Sequence, residues 1–143
     1  MTATTRNTQG QHTRPRTSAA LWLLYLCDAG LLVASGLIHL HLWDIAYRHV
    51  KTLDVLFLVQ VALCLLAAIA VLALRRPIVM LAAAVLMAGT IVGFVLARTV
   101  GIFGFHLTFS SGLAYTVLVI EIAAVILLGI TAWLMPNPAR SAT

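Results

Sequence analysis

Five side chains that could do chemistry lie within long apolar stretches of this 143-residue sequence: Asp28, Ser35, His39, Gln60 and Glu121. Carboxyl and imidazole groups can take up and release protons, and hydroxyl and amide groups can hydrogen-bond a ligand. Such groups are costly in contact with lipid, so within apolar helices they normally face the interior of a bundle and mark a functional site. The five residues are therefore candidates for a polar cleft.

Three of these residues share one face of the first apolar stretch. Ser35 lies seven positions after Asp28, and His39 lies eleven positions after it. At about 100° per residue, Ser35 and His39 each fall within about 20° of Asp28, whereas His41 lies about 200° from His39. We expect His39, rather than His41, to be the functional histidine of this helix.

Helical rise places Ser35, Gln60 and Glu121 at one depth, about 10 Å below the outer surface, and Asp28 about 20 Å down. If these faces converge, they form a polar cleft open toward the outside, which could hold a ligand, a short proton path or ordered waters. A structural interpretation stands beside this one. Asp28 and Glu121 could be protonated and serve only as hydrogen-bond donors between helices.

Four of the five histidines fall at or beyond the predicted outer boundary: His39, His41, His49 and His106. Imidazoles can bind zinc or copper, and a pair such as His39 and His106 could ligate a haem. The spacing matches no zinc-finger or metalloprotease pattern. No cofactor is therefore predicted, and a metal or haem at His39 and His106 is the weaker alternative.

The amino-acid composition indicates that the chain lies in a lipid membrane. Hydrophobic residues make up 62% of the chain and charged residues only 9%, against about 25% charged residues in soluble domains. Four apolar runs, 19–43, 53–74, 78–97 and 113–135, each reach the roughly 20 residues that cross a bilayer as a helix. With short connections, they predict an all-α, integral membrane four-helix bundle of up-down-up-down topology.

The remaining segments, 1–18 and 136–143, are interpreted as a disordered basic tail and a short second tail. Six basic residues fall on the proposed inner side and three on the outer side: Arg6, Arg14, Arg16, Arg75, Arg76 and Arg140 against Arg48, Lys51 and Arg98. This excess predicts cytoplasmic termini in a multi-pass protein of the cell membrane. The first run is too long for a cleaved signal peptide. Because the arginines flank the runs, nucleic-acid binding is not expected.

Small residues in the third run suggest close helix packing. Gly89 and Gly93 form a GxxxG pattern, which lets two backbones approach. We expect this pattern to pack helices within the bundle, with a homodimer interface as the alternative. Cys27 and Cys64 lie in apolar runs without a CxxC partner, and we interpret them as small apolar fillers.

Several short motifs resemble a family of small, uncharacterised four-span bacterial membrane proteins. They are the stretches 36–43 (GLIHLHLW), 56–60 (LFLVQ) and 101–105 (GIFGF), and the likeness covers most of the chain after the first tail. The family carries no established activity. The resemblance implies only that the segment from His39 to Gln60 and the 101–105 loop form one recurring outer-facing unit.

These observations favour a small membrane protein with an accessory or binding role and a polar cleft open to the outer face. A proton-coupled transporter-like or channel-like unit is the alternative, and a haem- or metal-binding redox protein is the third. No phosphate-binding GxxxxGK[ST] sequence or nucleophile elbow is present, so neither a nucleotide site nor a serine-hydrolase site is indicated. A non-enzymatic role is favoured, and catalysis stays open. The expected partners are the lipid bilayer and a second copy of the chain or a membrane complex.

Overall fold

The computed structural model of the chain describes residues 16–101 and 112–135, and within them every regular element is helical. The elements are α1 (Arg16–Leu42), a π-helical turn (Trp43–Tyr47), α2 (Leu53–Leu74), α3 (Pro77–Thr99) and α4 (Gly112–Leu134). The predictions for both tails, for His106 and for the 101–105 loop after Gly101 lie outside the described residues.

Among the described residues, four helices are long and apolar enough to cross a membrane: Ala19–Tyr47, Leu53–Leu74, Pro77–Thr99 and Gly112–Leu134. Large apolar side chains cover their outward faces, for example Val85, which is 71% exposed, and Leu66, which is 62% exposed. Contact of such a surface with water is unfavourable, whereas acyl chains accept it. The prediction of an all-helical chain with four helices able to span a membrane is confirmed for the described residues.

The buried positions of α1 and α4 recur at alternating intervals of three and four residues. In α1 they include Tyr25, Asp28, Leu32, Ser35 and Leu42, and in α4 they are Val117, Glu121, Ala124, Leu128 and Thr131. This heptad-like spacing keeps one face of each helix toward its neighbours. Polar side chains therefore occupy core positions of the bundle, at steps where a leucine or alanine would otherwise pack.

Helices α1 and α2 approach each other closely at Gly36. A Cβ atom added at Gly36 would lie 3.2 Å from the Cβ atom of Cys64 and 3.7 Å from the carbonyl oxygen of Val61. The first distance is tighter than an ordinary van der Waals contact, so a glycine at this position lets the two helices pack closely. Near the other end of α1, the Arg75 guanidinium lies 3.8 Å from the centroid of the Trp22 ring.

The first helical segment extends beyond the predicted end of its apolar run at residue 43, which shortens the connection between α1 and α2. The π-helical turn continues α1 as far as Tyr47, with the Arg48 amide donating to the Trp43 carbonyl at 2.9 Å. Arg48 also donates to the Asp44 carboxylate at 3.3 Å, a pairing that helical spacing allows. The Tyr47 ring then stacks on Phe57 of α2, with centroids 4.5 Å apart.

The seam between α2 and α3 is loosely packed. Helix α2 packs mainly on α1 and helix α3 on α4, while α1 and α4 join the two pairs. The expectation that Gly89 and Gly93 pack helices stays a prediction. A Cβ atom added at either glycine would meet none of the described atoms within 4 Å.

Candidate functional site

Glu121 of α4 lies at the centre of a buried polar cluster. The residue is only 2% exposed, and its Oε1 atom is the meeting point of two side chains from α1. The Ser35 hydroxyl donates to this oxygen at 3.5 Å, and Nε2 of His39 lies 3.7 Å from it. The heptad-like spacing of both helices turns these three positions toward one another.

The hydrogen bond of His39 to the backbone of α1 determines which of its ring nitrogens carries a hydrogen. Its Nδ1 atom lies 2.9 Å from the Ser35 carbonyl oxygen, which can only accept, so Nδ1 carries a hydrogen. Nε2 faces the Glu121 carboxyl group at 3.7 Å, a distance longer than a hydrogen bond. The two titratable groups are therefore close enough for the charge of one to affect the other.

Helices α2 and α3 complete the cluster. Gln60, which is 9% exposed, points its amide nitrogen to the Cys64 sulfur at 3.3 Å. The Cys64 thiol in turn lies beside Ser35 and Glu121. From α3, the Thr90 hydroxyl donates to the Met87 carbonyl at 2.7 Å and lies near Glu121. All four helices therefore contribute a polar side chain to one level of the bundle.

A cavity of about 410 Å³ lies against this cluster. Its polar lining consists of His39, Gln60, Thr90 and Glu121, and aromatic rings of Tyr47, Phe57 and Phe94 join a largely aliphatic wall. Small-molecule sites typically have a volume of about 300–1,000 Å³, an apolar lining and a few convergent polar groups. The cavity matches this description in size and in chemistry.

The lining gives the cavity a preference of charge. Glu121 is its one acidic residue among the described side chains, and no lysine or arginine lines it. The Phe57 ring is tilted against the His39 ring, and the two ring centroids are 5.4 Å apart. A headgroup that donates hydrogen bonds or carries a positive charge therefore suits this site better than an anion.

The cavity reaches the protein surface along the seam between α2 and α3. Leu56 on one side and Val85 and Gly89 on the other line the cavity and are exposed. In a bilayer this opening faces acyl chains. A molecule with an apolar chain could therefore enter sideways from the membrane.

Asp28 lies in a separate, deeper position. It is fully buried, and neither carboxylate oxygen has a hydrogen-bond partner among the described residues. The Thr131 hydroxyl of α4 lies close enough to interact with the Asp28 carboxyl group, although neither side chain meets the geometry of a hydrogen bond among the described residues. Three buried apolar side chains occupy the level between Asp28 and the Glu121 cluster: Leu32, Ala124 and Leu128.

The structure thus brings four of the five predicted residues together and leaves Asp28 apart. Ser35, His39 and Glu121 contact one another, and Gln60 lines the same cavity. His41 is exposed on the opposite side of α1 from His39, whose side chain is 12% exposed. Whether these residues act on a ligand stays a prediction.

A metal centre finds little support among the described residues. They contain no group of three His, Cys, Asp or Glu side chains placed to hold an ion. His39 has one carboxylate neighbour, Glu121, and its suggested partner His106 lies outside the described residues. The only second histidine near it in α1, His41, points away.

Three polar residues near Glu121 and Asp28 were not predicted from the sequence. Thr90 and Thr131 are single hydroxyl residues inside apolar runs, and Cys64 reads as a filler. Their spacing carries a usable signal, because Cys64 follows Gln60 by four residues and Thr131 continues the three- and four-residue steps of α4. The partner helix of each residue could not be read from that spacing.

No family model, curated protein or solved structure matches this chain at a significant level.

Proposed function

We propose that this chain is a small multi-pass membrane protein that binds an amphipathic small molecule in the cavity between α2, α3 and α4. The polar headgroup of the ligand lies against His39, Gln60 and Glu121. Its apolar part lies along the aromatic and aliphatic wall and leaves through the α2–α3 seam. The role is accessory or binding rather than catalytic, and the site is the outer half of the bundle.

Up-down-up-down topology in the cell membrane, with cytoplasmic termini, is part of the proposal. Contacts between helix ends support the topology: Trp22, early in α1, meets Arg75 at the end of α2, and Phe94, late in α3, meets Tyr115, early in α4. The basic excess supports the orientation. A reporter fused after Arg76 should report the cytoplasm, and one fused between Arg48 and Thr52 the outside.

The observation that carries the binding proposal is the combination of cavity and cluster. An apolar cavity of about 410 Å³ ends on four polar side chains from four helices. Structural hydrogen bonding between helices needs the polar cluster alone and leaves no reason for an adjoining open volume. A binding site needs both.

Three probes with the same ten-carbon chain and different headgroups test this proposal: decylamine, decan-1-ol and decanoic acid. Each is added to the purified protein in detergent, and thermal unfolding is followed by circular dichroism. Binding to the folded state raises Tm, by about 3 °C for each kcal/mol of linked stabilisation. We expect decylamine and decan-1-ol to raise Tm and decanoic acid to have the smallest effect.

Gly89→Leu supplies the critical variant, because its side chain would grow into the cavity without meeting another atom first. Gly30→Leu is the matched control: it also adds a side chain in open space, but it does not line the cavity. The Tm increase should vanish in Gly89→Leu and persist in Gly30→Leu. An equal response in both variants would place any binding elsewhere, and a strongest response to decanoic acid would contradict the headgroup assignment.

A proton-coupled transporter is the second candidate, and the proximity of two titratable side chains, His39 and Glu121, favours it. The apolar level between this pair and Asp28 argues for two separate proton sites rather than a continuous path. Proton uptake by vesicles that contain the protein, followed with an internal pH-sensitive dye, tests this candidate. Uptake should fail in Glu121→Gln and in Asp28→Asn, and unchanged uptake in both would rule the candidate out.

A further inference from the structure

Two arginines between α2 and α3 have no acidic partner. Arg75 and Arg76 are both exposed. The whole sequence contains four Asp and Glu residues, and all four have other places: Asp44 and Asp54 flank the α1–α2 connection at the other end of α2, and Asp28 and Glu121 are buried. No side-chain carboxylate of this chain is therefore at hand to neutralise the pair.

The Arg75 side chain is held in one orientation. Its backbone has a φ of 46° and a ψ of 47°, the left-handed conformation that ends α2. Its Nε atom donates to the Leu72 carbonyl at 2.9 Å, and its guanidinium stacks on Trp22 at 3.8 Å. The two terminal nitrogens make no hydrogen bond to the described residues. A guanidinium fixed in this way presents its remaining donors to an incoming oxyanion.

An apolar groove begins next to this pair. It has a volume of about 410 Å³ and lies between α2 and α3, lined only by aliphatic side chains: Leu63, Ala67, Ala70, Ile78, Val79, Ala82, Ala83 and Leu86. Ile78 lies two residues after Arg76, so the groove starts about 3 Å further along the helix axis and continues for about 12 Å to Leu86. Leu86 also lines the cavity described above.

We propose that this end of the α2–α3 seam is a binding site for an anionic phospholipid. The lipid phosphate lies between the guanidinium groups of Arg75 and Arg76, and one acyl chain lies in the groove along Ala67 and Ala82. Two unpaired cations at the mouth of an apolar groove match the charge and shape of such a lipid. The site adjoins the proposed ligand cavity at Leu86, but its headgroup end lies at the opposite end of α2, and its test does not depend on that proposal.

The test is a competition between phosphatidylglycerol and phosphatidylcholine with identical oleoyl chains, measured by native mass spectrometry of the intact chain. Each arginine near an anionic headgroup contributes about fivefold in affinity, so the wild type should favour phosphatidylglycerol by about tenfold or more. Arg75→Gln with Arg76→Gln should reduce the preference to near unity. Arg76→Gln alone, which leaves the Trp22 stacking intact, should remove a large part of it.

Two matched controls separate this site from general attraction. Arg48→Gln with Lys51→Gln removes the same charge at the other end of α2, and it should keep the full preference. A loss as large as in the Arg75 and Arg76 variant would overturn the proposal. Ala82→Phe, which fills the groove, should weaken retention of the lipid severalfold, whereas Ala123→Phe on exposed α4 surface should not. Equal retention in these two variants would overturn the placement of the acyl chain.

Discussion

Two helix–helix seams of this bundle use glycine for opposite purposes. Between α1 and α2, Gly36 lets the backbones meet, with only 3.2 Å from an added Cβ atom to Cys64. Along the α2–α3 seam, Gly89 and Gly93 face open space and line a cavity. The first seam is closed and the second is open. A small residue in a membrane helix therefore marks either a close contact between two helices or an open space beside the helix. Only the residues packed around it distinguish the two cases.

The largest expected effect falls on the closed seam. Gly36→Leu should lower the free energy of unfolding by about 3 kcal/mol, because the new side chain overlaps Cys64 and the Val61 carbonyl. Gly89→Leu, an identical change at the open seam, should lower it by less than about 1 kcal/mol. Reversible unfolding in mixed detergent, followed by circular dichroism, measures both. Similar losses in the two variants would break the distinction between the seams.

Glu121 lies where the closed side of the bundle meets the cavity of the open seam. Glu121→Ala should lower the free energy of unfolding by about 2 kcal/mol, because the buried Ser35 hydroxyl loses its acceptor and His39 loses its carboxyl neighbour. Glu121→Gln keeps an oxygen and a donor there, and its loss should be less than about 1 kcal/mol. The same unfolding assay compares them. If Glu121→Gln is as unstable as Glu121→Ala, charge rather than hydrogen bonding holds the cluster together.

Asp28 should behave in the opposite way. Its carboxylate oxygens have no hydrogen-bond partner among the described residues, so the free-energy cost of removing them from water is not offset by a hydrogen bond. Asp28→Leu should therefore raise the free energy of unfolding by about 1 kcal/mol. A marked destabilisation would show that the side chain is stabilised by a bound water or ion. Asp28→Asn, which keeps the shape, serves as the control.

The smallest effect is expected for Gly93→Ala in the open seam. The methyl group meets no atom within 4 Å, and alanine restricts the unfolded chain, so stability should rise by about 0.5 kcal/mol. Gly36→Ala is its counterpart in the closed seam and should be destabilising. A loss of stability or of self-association in Gly93→Ala would instead support the homodimer interface that the GxxxG pattern allows.

The four helices and the polar face of α1 could be predicted from the sequence, but the contacts between the faces of different helices could not. Run length and hydropathy predict four spanning helices because a bilayer leaves the backbone no other solution. The grouping of Ser35 with His39 follows from the helical period alone. Which side chains meet across helices depends on axial rotation and crossing distance, and no local pattern encodes these. The packing contact of Gly36 and the contribution of Thr90 were therefore not predicted.

The buried layer of Leu32, Ala124 and Leu128 has an electrical consequence. It separates the Glu121 cluster from Asp28 by seven residues of α1, or about 10 Å of low-dielectric protein. This is about a third of the hydrocarbon thickness, so about a third of the membrane voltage drops across it. Moving a proton between the Glu121 cluster and Asp28 would change its electrical free energy by about 0.8 kcal/mol at a membrane potential of 100 mV. The protonation of Asp28, and not only that of Glu121, would then respond to the energised state of the membrane.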